Sequence, residues 1–404
     1  MQSTFLKIKK TQALSLFLIT LLSLTCLMEK VFASGVLSER NYRKLEAIHQ
    51  LLNKDQLTQA QQKLEIMLVR KNPPYTQALF LQTAAHISIK QDKYPTAIKQ
   101  LNEVLALKIL PDFVEKNIEY NLAQLYAGEQ DYKNSLTILK RWLKNNKKIS
   151  PNNHVFIAMI YSHEHFYNDA ISHILQAIKQ SKKPAESWYQ ILISFHLQQK
   201  HYQKAILVYH ILLKNYSHQL TYWKQLSGLY LQIKKPAKAL AAYQSADHLF
   251  LLKKESDLQR LVDLYLYLNL PFQAAEKLHQ SIQSKTITSN QKNWKKLADC
   301  WILAKEYPLA IKALKQASHH DKTGKIELKI ARLFIENSQW KQALISIDKA
   351  LLTGKLTSKE QNKSYFLKGI SAYYAKQPEI ARQAFIKTKN YPQTRQWLKQ
   401  LEFK

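Results

Sequence analysis

The sequence predicts an all-α superhelical solenoid built from about ten helix–turn–helix repeats. The first observation behind this is a small residue that returns every 33 to 38 positions, inside helix-like apolar runs. Such a period is typical of paired helices that must stack because neither pair can bury its apolar face alone. The second is that the prolines fall in predicted turns or first helical turns, where they disturb a helix least. The small residues are Ala60, Ala97, Ser135, Ala170, Ala205, Ala239, Ala274, Ala310, Ala343 and Ala381.

Two repeats show most clearly why the spacing matters. Residues three and four apart share one face of a helix, so a Trp-Leu-Tyr stripe on the first helix can meet the small residue of the second. A bulky side chain at that crossing would overpack it by roughly 1–3 kcal/mol. We therefore predict packing roles for Trp223, Leu226, Tyr230, Ala239, Tyr243 and Ala246, and for Trp294, Leu297, Ala310 and Ala317.

These residues follow the order W-x2-L-G-x2-Y, then A-x3-F, then a small residue, and residues 40–404 resemble tetratricopeptide repeat proteins. The copies around Ala60 and Ala97 lack the aromatic stripe. The resemblance implies a solenoid over 34–390 and a C-terminal capping helix over 391–404. Another helical bundle or a long coiled coil is the alternative, and the regular turns disfavour it because a coiled coil repeats every 3.5 residues without interruption.

The first 33 residues predict a secretory signal peptide. A lysine-rich start at 7–10 precedes an uncharged run over 11–28, and residues 31–33 end in the alanine of a cleavage site. We expect cleavage after Ala33. The apolar core is shorter than the roughly 20 residues of a membrane span, and an uncleaved anchor is the alternative. Lipid modification of Cys26 is disfavoured, because the leucine of the expected motif is displaced by one position.

The chain is strongly basic, with a formal net charge of +31. Such a charge attracts anionic lipid head groups or polysaccharide, acidic protein segments, or nucleic acid. Only eight of the 60 basic residues are arginine, whereas specific phosphate recognition favours the bidentate guanidinium group. Compositional drift is therefore an alternative origin of the charge, and nucleic acid is the least favoured partner.

Motifs of catalysis and cofactor binding are missing from the sequence. The six glycines lie too far apart for a dinucleotide or phosphate loop, and neither a G-x-S-x-G elbow nor a C-x-x-C pair occurs. The run from His163 to His165 resembles part of H-E-x-x-H, but Tyr167 stands where the second histidine belongs. His154 and His173 could approach this run. We expect no enzyme, no cofactor and no metal site.

The predicted working surface is the groove formed by the first helices of the repeats. In tetratricopeptide arrays these helices line a concave face, and its positions are rich here in amide and hydroxyl groups suited to an extended peptide. The lysine–asparagine clamp that grips a C-terminal carboxylate in some relatives is incomplete, since Gly228 and Asp299 replace the asparagines. The predicted contact residues are Asn117, Tyr120, Gln124, Asn152, Val155, Met159, Gln190, Ser194, Gln198, Thr221, Lys224, Gln232, Gln259, Asp263 and Tyr267.

A closer resemblance covers about 216–317. The runs 221–230, 253–257 and 269–275 resemble exported tetratricopeptide proteins of gammaproteobacteria that accompany TonB–ExbB–ExbD energy-transducing systems. The resemblance implies a noncatalytic scaffold in the periplasm of a Gram-negative bacterium, with other envelope proteins docked in its groove. The alternatives are an adaptor for assembly of pili, exported polysaccharide or cell wall, and a secreted protein that binds a surface through its basic face.

Overall fold

The structure is a computed structural model that describes residues 37–319, 321–353, 355–388 and 393–402. These residues form 21 α-helices and no β-strand. The predicted all-α fold of helix–turn–helix repeats is therefore confirmed. The predicted signal peptide and its cleavage site lie outside the described residues.

Ten helix pairs follow one another, and a single helix comes after them. The first helices of the pairs are α1 Glu39–Asn53, α3 Pro74–Lys90, α5 Asp112–Gly128, α7 Pro151–His163, α9 Glu186–Gln198, α11 Leu220–Gln232, α13 Glu255–Tyr267, α15 Gln291–Leu303, α17 Lys325–Glu336 and α19 Ser358–Tyr374. The second helices are α2 Leu57–Leu68, α4 Tyr94–Leu107, α6 Tyr132–Asn145, α8 Tyr167–Gln180, α10 Tyr202–Asn215, α12 Pro236–His248, α14 Pro271–Gln283, α16 Tyr307–Ser318, α18 Trp340–Leu352 and α20 Pro378–Ile386. The last helix is α21 Thr394–Glu402.

The turn inside every pair has the same length and the same backbone conformation. It consists of three residues, and the middle one has a positive φ between 55° and 64°. The next residue donates its amide proton to a carbonyl five positions back, at 2.8–2.9 Å. This is the Schellman arrangement, which satisfies carbonyls that the helix end leaves open. None of the ten middle residues is glycine, and only three are Asp or Asn, which adopt this conformation readily. For the other seven, a left-handed conformation costs roughly 1–2 kcal/mol, so packing of the pair overrides local preference there.

The recurring small residue lies where the two helices of a pair cross. Each of the ten is the fourth residue of its second helix, and each is fully buried, at 0 % exposure. The hydroxyl group of Ser135 donates to the carbonyl of Ala123 at 2.7 Å. In another pair, the hydroxyl group of Ser227, on the first helix, donates to the carbonyl of Ala239, on the second, at 2.9 Å. Side-chain bonds to the opposite backbone show how closely the helices approach, and why only small residues fit.

In the last pair, a glycine of the first helix lies close to an aromatic ring of the second. A Cβ atom added to Gly369 would lie 2.4 Å from the ring of Phe385, which is itself fully buried. Helix α21 then covers the end of this pair, where Trp397 stacks on Phe385 with ring centroids 5.9 Å apart. Helix α21 thereby buries apolar surface of the tenth pair, and the predicted capping role of 391–404 stays a prediction.

Contacts divide the chain into two compact units, Met1–Val208 and Tyr209–Lys404, with the boundary inside α10. In unit 1 the core is made by residues such as Ile48, Phe80 and Leu122, and in unit 2 by residues such as Leu261 and Leu314. Within the described ranges, we find no helix with the length and apolar character that crossing a bilayer requires.

Candidate partner-binding surface

In unit 1, the predicted contact residues lie at repeated positions of three successive first helices, α5, α7 and α9. Asn117 and Asn152 occupy one equivalent position of their repeats, and Gln124, Met159 and Ser194 occupy another. Asn117, Asn152 and Gln198 are exposed, whereas Tyr120, Gln124, Val155, Met159, Gln190 and Ser194 are half-buried. Apart from three apolar or aromatic side chains, the set consists of uncharged hydrogen-bonding groups.

Tyr120 supports this face instead of standing free on it. Its ring lies 5.0 Å from that of Trp142 on α6 and 5.6 Å from that of Phe156 on α7. Burial raises the pKa of the Tyr120 hydroxyl well above its usual value. The ring therefore joins two neighbouring repeats, a role that the sequence pattern alone did not reveal.

On α9, two of the predicted contact residues have hydrogen-bond partners within their own helix. The amide group of Gln190 donates to the carboxylate of Glu186 at 3.2 Å. The hydroxyl group of Ser194 donates to the carbonyl of Ile191 at 2.7 Å. Gln198, at the end of the helix, remains exposed. A partner that binds Gln190 or Ser194 would therefore have to compete with these hydrogen bonds, one of them to a carboxylate.

In unit 2, the same face of the first helices is crossed by ion pairs between successive repeats, which we call the lysine–acid ladder. Lys224 of α11 pairs with Asp257 of α13. Lys296 of α15 reaches back to Asp263 of α13 at 2.7 Å. The remaining pairs are Lys329 with Asp299, between α17 and α15, and Lys325 with Glu360, between α17 and α19 at 2.9 Å.

The ladder involves three residues that the sequence interpretation had assigned to a partner: Lys224, Gln259 and Asp263. The side chain of Asp257, which accepts from Lys224, is only 5 % exposed. The ammonium group of Lys296 also donates to Gln259, at 2.6 Å. These three side chains therefore have partners inside the chain, whereas Thr221, Gln232 and Tyr267 are exposed.

The ladder has a signal in the sequence that the motif search did not use. Asp263 and Lys296 are 33 positions apart, and Asp299 and Lys329 are 30 apart, about one repeat in each case. Opposite charges separated by one repeat fall side by side on neighbouring first helices. A search for opposite charges about one repeat apart would have found these pairs. A search at separations of three or four residues finds only pairs within one helix.

The predicted packing residues lie at the crossings within the pairs of unit 2. Leu226, Tyr230, Ala239, Tyr243, Ala246, Leu297, Ala310 and Ala317 are buried. The two tryptophans are only half-buried, and their indole N–H groups bind the preceding loops. Trp223 donates to the carbonyl of Ser217 at 2.8 Å, and Trp294 to the hydroxyl of Ser289 at 3.0 Å. The tryptophans thus hold the loop that enters each first helix.

The histidines of unit 1 form paired contacts. His154 and His173 face each other with their Nδ1 atoms 2.9 Å apart, and Tyr161 stacks on His173. Burial, and then the charge of His154, lower the pKa of His173 to about 4. Both rings are therefore held in the neutral form near pH 7. His163 stacks on Tyr132 instead, at 3.8 Å between centroids.

In the described part of the chain, no three His, Cys, Asp or Glu side chains come close enough to hold a metal ion. Cys300 is buried, and burial raises the pKa of its thiol to about 11. A thiol with that pKa remains protonated near neutral pH and is a poor nucleophile.

The regular helix pairs define the class of protein, which is an α-helical repeat array. No protein-family model and no curated protein matches the chain. Solved structures similar to it include MamA, at 17 % identity over 42 % of this chain and 88 % of that one, with a TM-score of 0.33. YrrB, described as a TPR protein with an unusual peptide-binding site, is 12 % identical over 48 % of this chain and 98 % of that one, with a TM-score of 0.34.

A third similar structure spans more of the chain. The Cut9–Hcn1 hetero-tetramer of the APC/C matches at 11 % identity over 92 % of this chain and 98 % of that one, with a TM-score of 0.28. None of these three TM-scores reaches 0.5, so the assignment of the fold rests on the ten helix pairs of this chain.

Proposed function

We propose that the chain is a noncatalytic scaffold that binds a protein partner as an extended segment along the first-helix face of unit 1. The observation that carries this proposal is the repeated set of uncharged polar side chains on α5, α7 and α9. Asn117, Asn152 and Gln198 are exposed there. Amide groups both donate and accept hydrogen bonds, as the backbone of an extended peptide requires.

The lysine–acid ladder favours unit 1 over unit 2 as the place of binding. To contact Lys224 or Asp263, a ligand would first have to separate an existing ion pair. Leaving Asp257 buried without Lys224 would be costly, because an unpaired buried charge loses both water and its partner. The first-helix face of unit 2 is therefore better suited to holding the repeats together.

The finer proposal concerns location and partner. The signal-like segment over 1–33 supports export to the periplasm, with cleavage after Ala33, and the resemblance over 216–317 supports association with a TonB–ExbB–ExbD system. On this proposal the scaffold docks an envelope protein of that system and takes no part in chemistry. The competing assignment, an adaptor for pili, exported polysaccharide or cell wall, would use the same face for a different envelope protein.

Site-specific photo-crosslinking in the periplasm tests both levels of the proposal. A photoreactive residue at Asn152 should capture a partner, whereas the same residue at the exposed Leu175 of α8 should capture little. Capture of TonB-, ExbB- or ExbD-like proteins is the expected result. Recovery of pilus or polysaccharide components alone would overturn the TonB assignment, and capture from Leu175 but not Asn152 would overturn the assigned face.

A matched pair of triple variants separates the two units. Asn117→Ala, Asn152→Ala and Gln198→Ala together should lower recovery of the partner by about tenfold, because interface energy concentrates in a few contacts. The control is Thr221→Ala, Gln232→Ala and Tyr267→Ala, at exposed positions of unit 2. Equal loss in both variants would contradict the preference for unit 1.

A further inference from the structure

The loops that connect one helix pair of unit 1 to the next carry basic residues without any acidic ones. These loops are 69–73, 108–111, 146–150 and 181–185. The first two contain Arg70, Lys71 and Lys108, and the other two contain Lys147, Lys148, Lys182 and Lys183. All seven side chains are exposed. We call this set of loops the connector edge of unit 1.

The connector edge is a single edge because the helices from α1 to α9 each pack against the next one and the loops are short. Helices joined in this way run antiparallel, so the connecting loops lie at one end of the stack and the three-residue turns at the other. The turns, at 54–56, 91–93, 129–131, 164–166 and 199–201, contain five acidic residues and three lysines. Charge is thus segregated between the two edges.

This segregation bears on the origin of the basic character. A genome-wide bias toward lysine would place lysines at both edges alike, since both consist of exposed loop residues. The four loops of the connector edge instead have seven positive charges and no negative one, with the neighbouring Asp112 of α5 paired to Lys116, while the turn edge has a small negative excess. A bias toward lysine adds positive charge but does not by itself place the acidic residues in the turns.

Large apolar side chains project from the connector edge between the lysines. Val69 is 89 % exposed, the highest value among the large hydrophobic residues of the described chain. Ile109 is 45 % exposed, and Phe113, in the first turn of α5, is 55 % exposed. Unit 2 repeats the combination in two of its own connecting loops, where Phe250 precedes Lys253 and Lys254, and Leu352 precedes Lys355.

We propose that the connector edge of unit 1 docks onto an anionic lipid surface. The lysines lie against the head groups, while Val69, Ile109 and Phe113 reach past them toward the acyl chains. A lipid surface offers negative charge and an apolar layer together, which matches an edge that presents both. A nucleic acid would favour arginine forks and aromatic stacking, whereas six of the seven basic residues are lysine and two of the three apolar groups are aliphatic.

Vesicle co-sedimentation with the full chain tests the proposal directly. The probes are vesicles of phosphatidylcholine alone and of phosphatidylcholine with one-quarter phosphatidylglycerol. Binding should require the anionic lipid and should weaken steeply between 0.05 and 0.5 M NaCl, because the screening length shrinks from more than 10 Å toward 3 Å. Equal binding to both kinds of vesicle, or none to either, would overturn the proposal.

Two variants of equal net charge locate the binding surface. Lys147→Gln, Lys148→Gln, Lys182→Gln and Lys183→Gln together should weaken binding at least tenfold, since each lysine near an anionic surface contributes measurably. The control removes four exposed lysines away from the edge, by Lys54→Gln, Lys93→Gln, Lys133→Gln and Lys200→Gln, and should change binding less than twofold. If both variants weaken vesicle binding equally, binding depends on net charge and not on the connector edge, which would overturn the proposal. Every variant keeps the same residues 1–36, so that segment contributes equally to all.

Variants of the apolar side chains distinguish a lipid surface from other anionic partners. Val69→Ser with Ile109→Ser should weaken vesicle binding several-fold, whereas Ile66→Ser with Leu175→Ser, at exposed positions of the second helices, should not. A single-stranded oligonucleotide that binds more tightly than the vesicles, through the same four lysines, would overturn the lipid assignment. Because the vesicles contain no protein, this outcome is independent of the partner-binding surface on α5, α7 and α9.

Discussion

The two units of the chain use the same first-helix face in opposite ways. In unit 1, the face on α5, α7 and α9 presents uncharged amide groups, with Tyr120 packed beneath them. In unit 2, the lysine–acid ladder ties α11, α13, α15, α17 and α19 together through charged side chains. In unit 1, Lys116–Asp112 lies within one helix and Arg141–Glu119 within one pair, and the ion pair between repeats, Lys90–Asp55, is long and exposed.

The difference shows that one repeat architecture can carry either paired or open side chains on its first helices. The small residue at each crossing is buried in both units, so the packing of the pairs does not distinguish them. What differs is whether the side chains above that packing are paired with the next repeat. On the proposed function, the uncharged groups of unit 1 are open to a partner. The ion pairs of unit 2 instead add contacts between neighbouring repeats, which are the only repeats that touch in such an array.

The largest expected effect is common to both units. Ala170→Leu in unit 1 and Ala310→Leu in unit 2 should each destabilise the chain by about 3 kcal/mol, because a larger side chain cannot fit at the crossing. Thermal melts should show a drop of roughly 2–4 °C for each kcal/mol. The exposed Lys341→Ala serves as control and should change little. Negligible effects of both leucines would mean that the crossings are not where the structure places them.

The next effect should separate the units. Lys224→Met leaves the buried Asp257 without its partner, and we expect a loss of about 2 kcal/mol, less than for a fully buried pair because Lys224 is partly exposed. Lys90→Met in unit 1 breaks an exposed pair with Asp55, at 3.8 Å, and should cost about 0.5 kcal/mol or less. Urea unfolding measures both.

A second variant isolates the pair. Lys224→Met combined with Asp257→Leu removes the stranded carboxylate and should recover part of the stability lost in Lys224→Met, which a double-mutant cycle quantifies. Equal, small losses for Lys224→Met and Lys90→Met would show that the ladder does not stabilise unit 2.

The smallest expected effect is a difference in acid sensitivity. In unit 1, burial lowers the pKa of His86 and His173 to about 4. Above about pH 6.5, both histidines are neutral in the folded and the unfolded chain, so they do not lower the free energy of unfolding. As the pH falls toward 4, the unfolded chain binds those protons first, and the folded state loses stability. In unit 2, hydrogen bonds from Thr357 and the charge of Lys325 lower the pKa of Glu360 to about 2. The contribution of Glu360 to stability is complete above about pH 4.5 and is lost toward pH 2.

Hydrogen exchange resolved by mass spectrometry, and corrected for intrinsic rates, can follow each unit separately. Unit 1 should lose protection between pH 6.5 and 4, before unit 2 does. His86→Gln with His173→Gln should reduce this loss, whereas His218→Gln, at an exposed position of unit 2, should not affect it. Earlier loss in unit 2 would contradict the assignment.

Much of the fold could be predicted because each repeat is specified by the spacing of apolar and small residues along its own helices. The period of the small residues located all ten crossings, including those at Ala60 and Ala97, where the aromatic stripe is missing. The left-handed turn residue was not predicted, since Lys200 and Lys305 give no local indication of a positive φ. Their conformation results from the Schellman turn and from the packing that closes each pair.

The candidate surface was predictable only in part. Helical register assigned Asn117, Asn152 and Gln198 to the first-helix face, and all three are exposed, while their contact with a partner stays a prediction. It could not show that Tyr120 lies between Trp142 and Phe156, or that Asp263 meets Lys296, since those contacts join different repeats. Register describes one helix, whereas pairing depends on the distance between two.

By itself the sequence determined the helix pairs, their number and the residues at their crossings, because helical periodicity and side-chain size act over a few residues. Only the tertiary structure decided which polar side chains are paired and which are open. It brought Lys224 to Asp257, and it gathered the lysines of four separate loops at one edge of unit 1. Electrostatic pairing and surface charge depend on distances between repeats, and stacking of the helix pairs sets those distances.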